Sequence, residues 1–299
     1  MRNILLFNIL IFTLASCIKE VPLKSDVYVE PRPVFHCYLE PDSILLADYG
    51  RVTSISDLNS TADSALISLF RNNAFQGDMP PVGKGKYYFQ NNPFQPRDSF
   101  RIYGSDGLYS FFVRGRVPSR IYLNVTDTQT VLIPGIGPSF ALDISFTDSA
   151  IDDNFYRLFL RKYYMEYTLD KNGNKTDSVK RMKILEIKGS EFPFIQNNFN
   201  NYTSSEILFN DATFNGTTPT YRIYTPGKMW GDPAIRNLKL EVIIENMEKP
   251  LFEYYNTRNA HLWQQQSISQ LPGNINGNIA AGYGVAGAYT KSVKVISFE

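Results

Sequence analysis

The sequence from Asn154 to Ile187 reads NFYRLFLRKYYMEYTLDKNGNKTDSVKRMKILEI, and it is the stretch that decides the fold class. Its first arm, Asn154 to Leu169, is rich in aromatic and apolar residues, which favour half-buried positions in a pleated sheet. Asn172-Gly173 supplies the two positive φ angles that a type I′ turn requires, and Thr176 to Ile187 forms the return arm. The pattern predicts a long β-hairpin.

Short apolar or alternating runs precede the hairpin and are separated by Gly, Pro, Asn and Asp. Many short strands joined by such turns are typical of a β-sandwich, and the span 26–116 has the size of one immunoglobulin-like sheet pair. The predicted strands are Val34 to Leu39, Ala65 to Phe70, Lys86 to Phe89, Ser99 to Tyr103 and Tyr109 to Arg114.

A hinge at Val117-Pro118-Ser119 is expected to open a second β domain, because Pro118 fixes its own φ and biases Val117 away from helix. Further strands are predicted at Thr220 to Tyr224, Asn237 to Glu245 and Ser292 to Phe298.

One helix is predicted near residues 250–266. Pro250 suits its first turn, and apolar residues follow near the helical period, at Leu251, Phe252, Tyr255, Leu262 and Trp263. The predicted fold is therefore mainly β, with two immunoglobulin-like β-sandwich domains at 34–116 and 117–299, the second carrying the hairpin and the helix.

The N-terminus has the pattern of a bacterial lipoprotein. An uncharged, mostly apolar run from Ile4 to Leu14 follows Arg2, and Leu14-Ala15-Ser16-Cys17 matches a lipobox. The run is much shorter than the ~20 residues that cross a bilayer. We expect residues 1–16 to be a signal peptide cleaved between Ser16 and Cys17, lipid on Cys17, and a tether at 17–33.

Charge and cysteine content narrow the function classes. Lys and Arg number 30 against 29 Asp and Glu, without a long run of either sign, so the electrostatic pattern of a nucleic-acid-binding protein is missing. With Cys17 lipidated, Cys37 is left without a disulfide partner in the chain. We expect Cys37 to be a small buried hydrophobe.

Two sequence motifs match binding loops only in part. Gly282 to Gly287 spells G-x-G-x-x-G, but only twelve residues follow, too few for the helix that a dinucleotide site requires. Asp170 to Asn174 begins like a calcium loop, yet Lys175 stands where Gly is needed and Arg181 where a bidentate Glu is needed. We interpret them as an approach to the last strand and a hairpin tip.

Few residues could carry catalysis. Asp148, Asp152 and Asp153 could act as acids, bases or metal ligands together with His261, which is the hydrolase alternative. Asp is also common in turns, and His36 lies within a predicted strand. We predict no catalytic residue, no metal and no cofactor.

A series of short matches, in order along the chain, carries a resemblance to a known family. They are Cys17-Ile18-Lys19-Glu20-Val21, Val34 to Leu39, Gly85-Lys86-Tyr87-Tyr88 before Phe100-Arg101-Ile102, Val117-Pro118, Phe146-Thr147-Asp148 before Asn154-Phe155-Tyr156-Arg157, Phe214-Asn215-Gly216, and Asn274-Ile275-Asn276-Gly277 before Gly282-Tyr283-Gly284-Val285. The chain resembles a Bacteroidota lipoprotein family catalogued as domain of unknown function 4249, often encoded near TonB-dependent outer-membrane transporters.

The resemblance implies an outer-membrane lipoprotein, more often on the cell surface than on the periplasmic face. We expect a non-enzymatic binding or assembly subunit, anchored to the membrane by its lipid and associated with an outer-membrane barrel. The alternative is a free-standing glycan-binding lipoprotein that stacks sugars on Trp230 or Trp263. The sequence identifies neither the ligand nor the binding surface.

We expect Cys17→Ser to abolish membrane anchoring, because it removes the thiol that accepts the diacylglycerol. Immunoblots of membrane and soluble fractions measure the effect, and Cys37→Ala is the control that keeps the lipidated residue. A Cys17→Ser protein that stays in the membrane fraction would contradict the lipobox interpretation.

Overall fold

A computed structural model describes residues 31–52, 65–172, 174–188, 205–227, 235–265 and 274–298. Within these ranges the chain is mainly β, as predicted, with strands in three sheets and one helix. The elements are β1 (Arg32–Leu39), β2 (Leu45–Val52), β3 (Leu66–Arg71), β4 (Ala74–Asp78), β5 (Pro81–Gly83), β6 (Lys86–Phe89), β7 (Ser99–Ser105), β8 (Ser110–Arg116), β9 (Tyr122–Ile133), β10 (Gly137–Thr147), β11 (Phe155–Leu169), β12 (Lys175–Leu185), β13 (Ile207–Asn210), β14 (Thr220–Pro226), β15 (Ile235–Met247), α1 (Lys249–Gln264) and β16 (Tyr283–Phe298).

One large sheet runs through both halves of the chain, in the order β12-β11-β15-β16-β1-β2-β6-β5, with β13 also paired to β11. Two smaller sheets have the orders β4-β3-β7-β8 and β14-β10-β9. The predicted hairpin is confirmed as β11 and β12, which pair antiparallel from Leu160 with Leu185 to Leu169 with Lys175. Gly173, half of the predicted turn, lies outside the described residues.

Strand β16 joins the two halves. Its first residues pair in parallel with β1, from Val34 opposite Tyr283 to Leu39 opposite Ala288. The remainder pairs antiparallel with β15, ending with Leu238 opposite Phe298. Strand β16 therefore connects β1 to β15 within one sheet. The division into domains at Val117 remains a prediction, and segments on both sides of it belong to this sheet.

Side chains alternate along β16, so its even-numbered and odd-numbered residues lie on opposite faces of the large sheet. Even-numbered residues such as Ala286 and Ala288 lie in a first core that the large sheet forms with the four-stranded sheet. Farther along, Phe298 packs against a second core, formed with the three-stranded sheet. Odd-numbered residues point to the opposite face, where Val285 packs against α1.

The predicted hinge, Val117-Pro118-Ser119, is held to the large sheet by hydrogen bonds. Val117 is buried, and the Ser119 carbonyl accepts hydrogen bonds from Asn246 Nδ2 (3.0 Å) and Thr290 Oγ1 (2.9 Å). The Ser292 hydroxyl donates to the Ile121 carbonyl. The link between the two smaller sheets is thus fixed against the third.

Sequence patterns missed part of the architecture. The last strand was expected from Ser292 but begins at Tyr283, so the glycine-rich segment is strand rather than an approach to one. A Cβ on Gly284 would lie 2.1 Å from the Phe35 carbonyl oxygen, so glycine there allows β16 to lie close to β1. Strands β2, β4, β5, β9, β10 and β13 were also absent from the prediction.

Helix α1 was predicted correctly in type and place, at Lys249–Gln264. Pro250 lies in its first turn, and Leu251, Phe252 and Tyr255 are its buried residues. Within the described part of the chain, no helix is both long enough and apolar enough to cross a bilayer.

Candidate functional site on the helix side of the large sheet

A cluster of charged residues lies on the face of the large sheet that carries α1. Arg157 of β11 donates from Nε to Glu206 (2.6 Å) and from Nη1 to Glu245 of β15 (3.1 Å). Glu206 also accepts hydrogen bonds from Arg258 (3.1 Å) and Asn259 (2.7 Å) of the helix. We call these five residues the charge cluster, and it ties α1 to two strands.

Aromatic rings flank the Arg157 guanidinium. Its central carbon is 4.5 Å from the Tyr255 ring centroid and 4.8 Å from that of Phe159. The Arg258 guanidinium also contacts the Tyr255 ring, at 4.6 Å. One tyrosine thus lies within cation–π distance of two arginines whose charges are balanced by two carboxylates.

A second ion pair extends the cluster along β16. Lys291 Nζ lies 2.6 Å from Glu40 Oε1, and the Tyr289 hydroxyl donates to Glu40 Oε2 (2.9 Å). Glu40 directly follows β1, so this pair also crosses the parallel junction of β1 and β16. These contacts join side chains of the protein to one another, as expected of a network that stabilises the fold.

Burial is the largest cause of the pKa shifts in this network. It raises the pKa of Glu245, whereas the nearby Arg157 charge lowers it. Burial also raises the pKa values of Tyr255 and Tyr289, so both phenols stay protonated at neutral pH. The arrangement therefore offers no tyrosinate base for acid–base chemistry at neutral pH.

Glu248 is the N-cap residue of α1, but its side chain makes no capping hydrogen bond and bonds to neighbouring strands instead. Its Oε1 accepts a hydrogen bond from the Arg116 N–H (2.6 Å) and its Oε2 from the Ala288 N–H (2.8 Å). A Cβ on Gly115 would lie 2.1 Å from this carboxylate, so glycine makes room for it. Burial raises the pKa of Glu248 to about 7, against the lowering effect of the two N–H groups.

Beyond the charge cluster, the same face of the sheet exposes apolar side chains. Ile184, Arg161, Glu241 and Val295 form one row across four strands, through their register pairs. We call the surface around this row the distal face. Its large hydrophobic residues and their exposed fractions are Met182 56%, Val295 50%, Ile184 45% and Val293 43%.

The proposed hydrolase residues are not brought together. Asp148 is buried, accepts a hydrogen bond from the Tyr156 hydroxyl, and accepts another from the Gly216 N–H (2.7 Å). Tyr156 belongs to the second core, so Asp148 lies on the face opposite α1. The helix residue His261 is therefore separated from Asp148 by the sheet, and its Nε2 lies 2.8 Å from Gln265.

The remaining acid and metal candidates have simple structural explanations. Asp152 and Asp153 are exposed in the turn before β11. Burial lowers the pKa of His36, which keeps that imidazole neutral. Among the described residues, no group of three His, Cys, Asp or Glu side chains is arranged to hold a metal ion.

Cys37 is buried, as predicted. It lies in the first core, and burial raises the pKa of its thiol to about 12. A thiol with such a pKa is almost entirely protonated at neutral pH and is a poor nucleophile.

The two partial motifs are structural. The Gly282–Gly287 segment passes from a turn into β16, and a Cβ on Gly287 would meet the Leu251 side chain of α1 at 3.1 Å. Asp170 Oδ1 accepts hydrogen bonds from the N–H groups of Asn172 and Asn174 (both 2.8 Å), which closes the tip of the hairpin. The hairpin-tip interpretation is confirmed, whereas the glycine-rich segment is part of β16 rather than an approach to it.

Three predicted functional residues, Ser16, Cys17 and Trp230, lie outside the described residues. Trp263 lies half-buried on α1, within the described part.

The family model described as Domain of unknown function (DUF4249) matches residues 20–294. The chain belongs to this family. The match spans both cores, the charge cluster and the hairpin, which agrees with a resemblance along nearly the whole chain. Among curated proteins, no match is found.

Sequence reasoning missed the charge cluster of this DUF4249 protein. Arg157 shares a strand face with Phe155 and Phe159, and a cation between two aromatic residues of the same face was the available signal. Glu206 and Glu245 lie far from it along the chain, so no local spacing connects them to Arg157.

We expect Arg157→Met to lower the free energy of unfolding by about 3–5 kcal/mol, because it leaves the buried Glu245 without its cation and Glu206 with Arg258 alone. Arg181→Met is the matched control, since its ion pair with Glu166 is exposed and should contribute little to stability. Urea unfolding measures both. Equal losses in the two variants would show that the charge cluster adds nothing to stability.

Glu248 should make stability depend on pH. Its pKa rises from 4.5 to about 7 on folding, so its contribution is fully present below about pH 4.5 and is lost as the pH rises through 7. We expect the wild type to lose on the order of 1–3 kcal/mol from this group between pH 5 and pH 8. Glu248→Gln should flatten that part of the profile, whereas Glu253→Gln, at an exposed position on the same helix, should not.

Proposed function

We propose that this DUF4249 protein is a lipid-anchored outer-membrane subunit that binds a partner protein, in particular an outer-membrane barrel such as a TonB-dependent transporter. In this proposal it assembles or positions the complex and carries out no catalysis. The cell surface is the proposed location, with the lipid on Cys17 as the anchor.

The distal face is the observation that carries the proposal. Four large apolar side chains are 43–56% exposed there, two on β12 and two on β16, with β11 and β15 between those strands. Large apolar side chains exposed together on one face of a sheet are typical of a protein–protein interaction site. The Arg161–Glu241 pair, 3.5 Å apart, lies within the face and supplies polar groups that could fix a partner's orientation.

The position of the distal face suits an anchored protein. The start of β1 lies beside the start of β16, whereas the distal face lies at the other end of β16. Sixteen residues of strand span roughly 50 Å. A body tethered through the predicted segment 17–33, whose last two residues belong to β1, would hold the distal face away from its attachment point.

The fold proposal is finer than the mainly β class. Each smaller sheet forms a core with the large sheet, and this supports two immunoglobulin-like sandwiches that share one layer. A crystal structure in which the two halves do not share a sheet would contradict this fold proposal. It would leave the binding hypothesis unaffected.

Native capture from detergent-solubilised membranes tests the function. The affinity tag belongs in the exposed turn at Gly107-Leu108, because a C-terminal tag would follow Glu299, next to the end of β16 that carries the distal face. We expect a stoichiometric barrel protein to be captured with the wild type and identified by mass spectrometry.

Paired variants make the capture specific. Met182→Glu/Val295→Glu places two charges on the distal face and should abolish capture. Phe75→Glu/Val82→Glu makes the same change at exposed apolar positions in the N-terminal half and should retain it. Wild-type protein recovered alone would overturn the proposal, and binding on a glycan array would then favour the carbohydrate-binding alternative.

A further inference from the structure

The β11–β12 hairpin lies at one side of the large sheet. Beyond Glu166, β11 pairs only with β12 among the described strands, so the tip of the hairpin extends past β15. Strand β12 is an end strand of the large sheet in the described structure, and every residue from Lys175 to Ile184 is exposed. We call residues 161–185 the arm, and the outer edge of β12, with both of its faces in solvent, is available to a partner.

Positive charge is concentrated on this arm. Between residues 161 and 185 there are seven Lys and Arg against three Asp and Glu, whereas the whole chain has a net charge of +1. The rest of the chain is therefore net negative. The cations are Arg161, Lys162, Lys171, Lys175, Lys180, Arg181 and Lys183.

The arm's own carboxylates do not balance these cations. Glu166 pairs with Arg181 (2.8 Å), while Asp170 accepts hydrogen bonds at the hairpin tip. Lys180 and Lys183 form no ion pair with any residue in the described ranges. Lys183 lies directly opposite Lys162 in the ladder, so two cations are close together beside the outer edge of β12.

The cations of β12 lie on both of its faces. Lys180 points to the side that carries α1, and Arg181 and Lys183 point to the other, because side chains alternate along a strand. A flat anionic lipid surface would contact one side at a time. A strand paired in the plane of the sheet, with acidic side chains above and below, would reach both sides.

We propose that the outer edge of β12 binds an extended acidic segment of a partner protein by strand addition. Backbone hydrogen bonds along the edge would supply affinity, and the cations would select an acidic sequence. The same cations repel a second copy of the arm, so β12 is not expected to pair with itself. This proposal rests on the proposed binding function and names the chemistry of the partner.

A direct probe is a fluorescein-labelled peptide of Glu and Val, designed with Glu on both faces of its extended form. Fluorescence anisotropy with the full chain should show binding that weakens as salt is added. The same peptide with Lys in place of Glu should not bind. Vesicles containing phosphatidylglycerol test the lipid alternative in a parallel flotation assay.

Charge reversal locates the site. Lys180→Glu/Lys183→Glu should weaken peptide binding by about tenfold or more, since two attractive contacts become repulsive. Lys84→Glu/Arg114→Glu changes net charge equally at exposed positions outside the arm and should leave the affinity unchanged. Lys180→Arg/Lys183→Arg keeps the charge and should also bind. Circular dichroism confirms that each variant is folded.

Hydrogen exchange distinguishes strand addition from diffuse attraction. Bound peptide should slow amide exchange within residues 175–185 of the wild type, because new backbone hydrogen bonds form there. Unchanged exchange, equal affinity of the reversed and control variants, or binding of vesicles without peptide would overturn the proposal.

The native capture experiment separates the two proposals. If wild type and Lys180→Glu/Lys183→Glu capture the barrel equally, the binding function stands and the arm proposal fails. If the wild type captures no barrel but binds the acidic peptide through β12, the arm proposal stands and the barrel assignment fails.

Discussion

The architecture depends on the pairing of β16 with two strands at once. Parallel pairing with β1 and antiparallel pairing with β15 make one sheet from segments at opposite ends of the chain. Each smaller sheet needs that common layer, because its apolar face is buried only against the large sheet. Glycine at positions 284 and 287 makes the pairing possible, since a Cβ on Gly284 would meet Phe35 and one on Gly287 would meet Leu251.

Polar groups buried at this junction reinforce it. Glu248 connects the end of β8 to β16, Ser119 accepts hydrogen bonds from β15 and β16, and Glu40 holds Lys291 and Tyr289. Each contact joins residues that are distant in sequence. Removing one partner would leave a buried polar group unsatisfied, which costs more than the net value of the bond. The layers are therefore fixed in position as well as packed.

Local chemistry made some elements readable from the sequence. The hairpin had aromatic strands and a polar tip, and α1 had Pro250 and a helical apolar period, so both were predicted within a few residues. The glycine-rich start of β16 lacked the β-branched and aromatic residues of a typical strand, because close approach to β1 and α1 favours small side chains there. The short strand β13 had no turn signal of its own.

The candidate site was less predictable than the fold. Arg157, Glu206 and Glu245 come together through sheet register, which a single sequence does not encode locally. The distal face depends on which strands are neighbours, so Val295 and Ile184 had no visible relation in the sequence. Conversely, Asp148 and His261 suggested chemistry by residue type alone, and the sheet lies between them.

The parallel pairing of β1 with β16 also constrains how the polypeptide acquires its structure. Glu40 and Tyr289, which form a hydrogen bond, are separated by 249 positions. Strand β1 is made before β2 to β15, and its parallel neighbour β16 only after them, so this edge of β1 stays open while the strands between are synthesised. Long-range pairing of this kind slows folding. The large sheet can therefore close only after β1 has waited for a partner from the far side of both cores.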